Sequence, residues 1–182
     1  NRAIENYKEI KAFVKGTVAE NAPIIPISAQ RMINVDVLLD AIQTIIPTPY
    51  RDPNLAPLMY IIRSFDINKP GTTIDAIEGG IIGGTIAQGK FVVGEEIEIR
   101  PGVMVEREGK TVYDPLITQI ISLHSGDQEV KEATCGGLIG MGTLLDPSYS
   151  KADGLTGSIV GKTGQLPPTV TEITMQTHVL EH

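Results

Sequence analysis

Ile46-Pro47-Thr48-Pro49-Tyr50-Arg51-Asp52-Pro53-Asn54-Leu55-Ala56-Pro57 divides the chain into two parts of different kind. Four prolines in this stretch fix φ and remove backbone donors, so residues 47–57 stay extended and no helix crosses them. Upstream, apolar residues recur at helical spacing. Ala3, Ile4, Tyr7, Ile10, Phe13 and Val14 predict a helix that Gly16 stops; Val35, Leu38, Leu39, Ile42, Ile45 and Ile46 predict another that Asn34 caps. Between them, Pro23-Ile24-Ile25-Pro26-Ile27 is a short apolar run of the sort that forms a buried strand. One strand cannot bury two apolar helix faces, so residues 1–46 read as a partial α/β segment, the end of a larger domain.

Downstream, over residues 58–182, the pattern changes to short β-rich runs. These are Met59–Phe65, Gly80–Ile86, Glu96–Arg100, Val103–Arg107, Thr111–Tyr113, Leu116–Leu123, Gln128–Ala133, Gly157–Val160 and Thr169–Thr177. Turn signals separate them at Pro70-Gly71, Pro101-Gly102, Glu108-Gly109-Lys110, Ser125-Gly126-Asp127 and Asp153-Gly154. Many short strands with no helical interruption imply a barrel or a sandwich. Glycine pairs at 79–80, 83–84 and 136–137, which let bent strands turn corners, favour a closed barrel. The expected fold is mainly β, a closed barrel preceded by the partial α/β segment.

Composition narrows the function. With 41% hydrophobic and 20% charged residues, the 182-residue chain packs a core and is not disordered. Residues 1–49 carry five basic and five acidic side chains, residues 50–182 ten and seventeen, so the net charge of −7 belongs to the second part. An acidic body repels phosphate backbones, and any nucleic acid contact is expected to be local. A basic protein partner fits better. No apolar run approaches the roughly 20 residues of a membrane helix, and no signal-peptide pattern precedes the first helix. A lone Cys135 forms no internal disulfide and suits a reducing compartment, so the chain is expected to be soluble and cytoplasmic, with no membrane role.

Familiar catalytic patterns are missing. Gly161-Lys162-Thr163 matches the end of a phosphate-binding loop, but Thr156 stands where its first glycine belongs. Asn68-Lys69-Pro70-Gly71 resembles a guanine-reading motif without its carboxylate, and reads as a turn. Histidines occur only at 124, 178 and 182, too few for a nucleophile-base pair in a defined setting. No Cys/His spacing suggests a metal site. Glu95, Glu96 and Glu98 alternate with Ile97 and Ile99, which reads as a solvated face over a core. Ser28-Ala29-Gln30, by contrast, follows an apolar strand and precedes a helix, at the edge where open α/β sheets bind ligands. The Ala29 amide could donate to a ligand carbonyl there, with Ser28 bracing the turn; an ordinary strand-to-helix turn is the competing reading.

Longer matches point to a family. Ile25-Pro-Ile-Ser-Ala-Gln30, Ile46-Pro-Thr-Pro-Tyr-Arg-Asp52, Met59-Tyr-Ile-Ile-Arg-Ser-Phe-Asp-Ile-Asn-Lys-Pro-Gly71, Gly79-Gly-Ile-Ile-Gly-Gly-Thr-Ile86, Gly94-Glu-Glu-Ile-Glu-Ile-Arg-Pro-Gly102 and Thr163-Gly-Gln-Leu-Pro-Pro168 together resemble the gamma subunits of archaeal translation initiation factor two, relatives of elongation factor Tu. The resemblance implies that residues 1–46 end a P-loop guanine-nucleotide-binding domain. It implies that Ser28, Ala29 and Gln30 form its fifth nucleotide motif, and that residues 58–182 are the Greek-key-like β-barrel of domain two. It further implies GTP or GDP with magnesium in the intact protein. The implied partners are an alpha subunit on the barrel, a beta subunit on the nucleotide domain, initiator methionyl-tRNA and the small ribosomal subunit. By strand alignment with elongation factor Tu it implies Arg63, Phe65 and His124 near the tRNA 3′ end. For Phe65 the competing reading is simple core, for Arg63 a solvated strand face, for His124 a hairpin end. The phosphate loop, both switches, the Asp-x-x-Gly and Asn-Lys-x-Asp elements, the zinc-binding insertion and the third domain have no counterpart. The segment alone is therefore expected neither to hydrolyse nor to hold GTP appreciably. An elongation factor carrying other aminoacyl-tRNAs, or a stand-alone barrel scaffold, are the alternatives. Leu180-Glu181-His182 fits both native sequence and the start of an affinity tag.

Overall fold

The structure is a computed structural model that describes residues 2–179; the terminal Leu180-Glu181-His182 lies outside the described residues. Two compact units, residues 1–50 and 51–182, make up the chain. In the first, α1 (Arg2–Phe13) ends ahead of Gly16 and α2 spans Val35–Ile45. The predicted strand Pro23–Ile27 is extended but joins no ladder: a strand needs a neighbour, and none lies beside it among the described residues. Asn34 occupies the N-cap position of α2 without capping it. Its backbone is left-handed, at φ 54°, and its side-chain amide donates instead to the Pro26 carbonyl at 2.9 Å, tying the helix entrance to the extended run. Among the described residues, no side chain in this unit is buried; Leu39 on α2 is 60% exposed.

Among the described residues, the second unit contains nine strands: β1 (Leu58–Phe65), β2 (Ile81–Gln88), β3 (Lys90–Val92), β4 (Glu96–Arg107), β5 (Lys110–Ser125), β6 (Gln128–Val130), β7 (Glu132–Thr134), β8 (Ile139–Thr143) and β9 (Ile159–Lys162). Six of them close a ring, in the order β4-β9-β1-β2-β8-β5 and back to β4, with every neighbour antiparallel. The closed barrel expected from the sequence is the barrel observed. Closure leaves the ring without an edge strand. β6 adds to the outside of β5, and β3 and β7 form a separate ribbon. Inside the barrel, Met59, Ile82, Ile86, Ile97, Ile99, Ile120, Leu123, Met141 and Val160 are sealed from water together with Phe91.

Several expectations change. Pro101-Gly102 is not a turn between two strands but an irregularity inside β4, where the pairing register with β5 shifts between Ile99 and Val103. Gly102 has φ 85°, and a Cβ there would stand 1.9 Å from the Asp114 carbonyl oxygen, so only glycine lets the two strands run on. A short helix, α3 (Pro147–Ser150), interrupts the strands, its Asp146 cap accepting from the Ser148 amide at 2.8 Å. Residues 169–177 form no strand despite their alternation. β3 and β8 were not expected; β8 reads Ile-Gly-Met-Gly-Thr, and its glycines conceal the pattern. Glu98 is not on a solvated face: it is 3% exposed, within a run of three buried residues on β4.

Candidate functional site

The strand β1 begins with regular alternation, Met59 and Ile61 inward, Tyr60 outward. Continued strictly, it would bury Arg63 and Phe65. A register shift against β2 between Ile61 and Arg63 breaks it, so Ile62 and Arg63 both face out, Ser64 turns in, and Phe65 is 43% exposed. The same device operates on β5. Leu116, Thr118 and Ile120 point inward; a shift against β8 between Ile120 and Ser122 then brings Leu123 inside and turns His124 out. Phe65 is thus a surface residue and not part of the core.

These two irregularities bring Arg63, Phe65 and His124 to one cleft of about 550 Å³, which Gly83, Ile139 and Gly140 also line. His124 lies opposite Gly140 on β8 and Glu129 on β6, so it is a hairpin residue that also lines the cleft. The cleft lining is mostly apolar and includes the Arg63 guanidinium and the His124 imidazole, so it offers carbon surface for a flat ring and a cation for an anion. Arg63 does not stand alone. Its Nε donates to Asp153 Oδ1 at 3.0 Å, and the Ser64 amide donates to the same oxygen at 2.9 Å. The Ser64 amide first, then the Arg63 guanidinium, hold the Asp153 carboxyl below its usual range. Sequence reasoning missed Asp153, reading Asp153-Gly154 only as a turn; nothing local marks an aspartate whose partners lie some ninety residues earlier.

In the first unit, Ser28, Ala29 and Gln30 lie together at the mouth of α2. Ser28 pairs with Ile33 through reciprocal backbone bonds, both at 3.1 Å, and Ala29–Arg31 form one turn of 3-10 helix. The bracing comes from the Ser28 backbone, since its side chain makes no cap bond. Among the described residues, no acceptor takes the Ala29 or Gln30 amide, so both donors remain available at the turn. Two unengaged backbone amides at a turn can donate to a ligand carbonyl. Among the described residues, no group of three or more His, Cys, Asp or Glu side chains converges as a metal site.

A second polar centre is structural. Glu98 accepts from Arg100 Nε at 2.6 Å and from the Gly164 amide at 2.7 Å, while Arg100 Nη1 reaches the Pro167 carbonyl at 3.1 Å. Burial raises the Glu98 carboxyl, but the Gly164 amide and the Arg100 guanidinium together outweigh it, and the net shift is downward. The pair ties residues 163–168, where the chain leaves β9, to β4.

No protein-family model matches the chain. Over 180 residues it is 58% identical to translation initiation factor 2 subunit gamma of Thermococcus kodakarensis, a match covering 99% of this chain and 44% of that protein. The proteins of the same name from Methanocaldococcus jannaschii and Pyrococcus furiosus are 58% and 56% identical over the same shares. The chain belongs to the translation initiation factor 2 gamma-subunit family. It spans about 44% of the length of these curated gamma-subunit relatives. Among solved structures, translation elongation factor SelB from Methanococcus maripaludis, with a GTP analogue and in its apo form, aligns with TM-score 0.67 at 23% identity. That likeness, over 88% of this chain and 31% of SelB, is one of fold: the gamma-subunit segment has a translation-factor β-barrel.

Proposed function

We propose that this chain is part of a GTP-hydrolysing gamma subunit that carries initiator methionyl-tRNA to the small ribosomal subunit in the cytoplasm, with the barrel cleft receiving the 3′ end of the tRNA. The observation that carries this reading is the convergence of Arg63, Phe65 and His124 on one apolar cleft of an otherwise acidic unit. A terminal adenine stacks on carbon surface whatever its edge, and one or two cations suffice for the adjoining phosphates. The backbone donors at Ala29 and Gln30 support guanine recognition by residues 28–30, with the phosphates and magnesium of GTP or GDP held by parts of the nucleotide domain beyond this segment. The segment alone lacks the machinery for hydrolysis. An alpha subunit on the barrel and a beta subunit on the nucleotide domain complete the heterotrimer in this reading. Initiation is favoured over elongation because the relatives described above, at 56–58% identity, are initiation factors, whereas the likeness to SelB is of fold.

The test uses the full-length, GTP-bound gamma subunit and labelled initiator methionyl-tRNA, with Arg63→Ala, Phe65→Ala and His124→Ala compared against wild type. Loss of one charge-assisted contact or one stacked base is expected to weaken binding by roughly tenfold for Arg63 and Phe65, with GTP affinity unchanged. Wild-type tRNA affinity in all three variants would remove the cleft from the reading.

A further inference from the structure

The loop after α3 carries two consecutive non-glycine residues in the left-handed region, Ala152 at φ 52° and Asp153 at φ 60°. Such backbone is unfavourable, for alanine especially, and persists only where the surroundings hold it. Its result is to lay the Asp153 carboxylate against the irregularity of β1. One oxygen takes both the Ser64 amide and Arg63 Nε, and two residues further on the Leu155 amide donates to Ser64 Oγ at 3.0 Å. The loop thus grips Ser64 from two sides, at the position where β1 turns Arg63 outward. The Arg63–Asp153 pair is exposed, 70% and 40% by side chain, and a pair so exposed contributes little stability. The hydrogen bonds to buried Ser64 hold the loop in place; the exposed ion pair to Arg63 adds little to that.

What the contact does is orient. With Nε engaged, the plane of the guanidinium is set, and among the described residues no acceptor takes either of its Nη groups. Two parallel donors on a planar cation are the geometry that grips a phosphodiester bidentately. We infer that Asp153 is a positioning residue, which braces the β1 irregularity and locks Arg63 so that its free edge meets a backbone phosphate of the RNA bound in the cleft. This rests on the cleft reading above and adds to it a residue that never touches the RNA.

The sign of one substitution separates positioning from simple charge. Asp153→Asn removes a negative charge beside the site, which by electrostatics alone would tighten RNA binding. Asparagine tolerates the left-handed backbone and keeps the oxygen that the Ser64 amide and Arg63 Nε share, so the variant is expected to fold, as its urea midpoint will report. That oxygen is then a neutral acceptor, and the orienting bond to Arg63 falls to about half its charge-assisted strength. In the full-length GTP-bound factor we expect Asp153→Asn to weaken initiator methionyl-tRNA about fivefold and Arg63→Ala about tenfold. Arg63→Ala should also reduce the slope of log affinity against log salt by about 0.7. In an Arg63→Ala background, Asp153→Asn should cause no further loss. Tighter or unchanged binding by Asp153→Asn overturns the positioning role, as does a further loss in the Arg63→Ala background. If Phe65→Ala and Arg63→Ala weaken binding while Asp153→Asn does not, only the positioning role falls; if neither of the first two weakens it, the cleft reading falls with it.

Discussion

Glu98 offers the sharpest test of the barrel's energetics. Its side chain is 5% exposed and that of Arg100 is 23% exposed, so the carboxylate is sheltered while its partner keeps some contact with water. Glu98→Ala strands both the guanidinium and the Gly164 amide. Removing one partner of a buried pair costs about 3–5 kcal/mol; because Arg100 keeps the Pro167 carbonyl and partial hydration, the lower end, about 3 kcal/mol, is expected. Glu98→Gln keeps the volume and an acceptor for Gly164 but loses the charge, and should cost about 1.5 kcal/mol. Urea unfolding followed by far-UV circular dichroism at neutral pH measures both. The pH dependence has a definite sign. A carboxyl whose folded pKa lies below its unfolded value stabilises fully above the unfolded value, about 4.3 for glutamate, and that contribution fades as pH falls through the folded value. The wild-type advantage over Glu98→Gln should therefore shrink on acidification. A Glu98→Ala penalty under about 1 kcal/mol, or an advantage that grows as pH falls, would refute the idea that this pair is a buried, net-favourable tie.

Three further outcomes follow from the geometry. Ala29→Pro deletes one backbone donor at a position that accepts proline, the first of a 3-10 turn after the extended Ser28; full-length protein should bind GDP about five- to tenfold more weakly, measured by calorimetry. At Gly84 a Cβ would lie 1.9 Å from the Tyr60 carbonyl oxygen, whereas at Gly83 the nearest atom is 3.8 Å away. Gly84→Ala should therefore destabilise by about 1–3 kcal/mol and Gly83→Ala by less than about 0.5 kcal/mol, both read from urea midpoints. Phe91→Ala empties a fully buried site on β3 and should cost about 3–5 kcal/mol by the same assay.

The sequence by itself determined what local chemistry determines. Proline spacing at 47–57 forbade regular structure there, the 3.6-residue period marked α1 and α2, and apolar alternation marked β1, β2 and most of β4 and β5. The Ser28-Ala29-Gln30 turn was legible because small polar residues between an apolar run and a helix favour a turn. Tertiary structure decided what depends on partners. Residues 23–27 and 169–177 carry strand-like sequence yet form no ladder, since a ladder requires a neighbour that composition cannot supply. Glu98 looked solvated because its seal comes from Arg100, two residues on, and from Gly164, sixty-six residues away. The cleft itself is the clearest case. Strict alternation would hide Arg63, Phe65 and His124, and only the slipped registers of β1 against β2 and β5 against β8 turn them outward. A one-residue slip exchanges the faces of a strand, and whether it occurs is settled by the strand alongside.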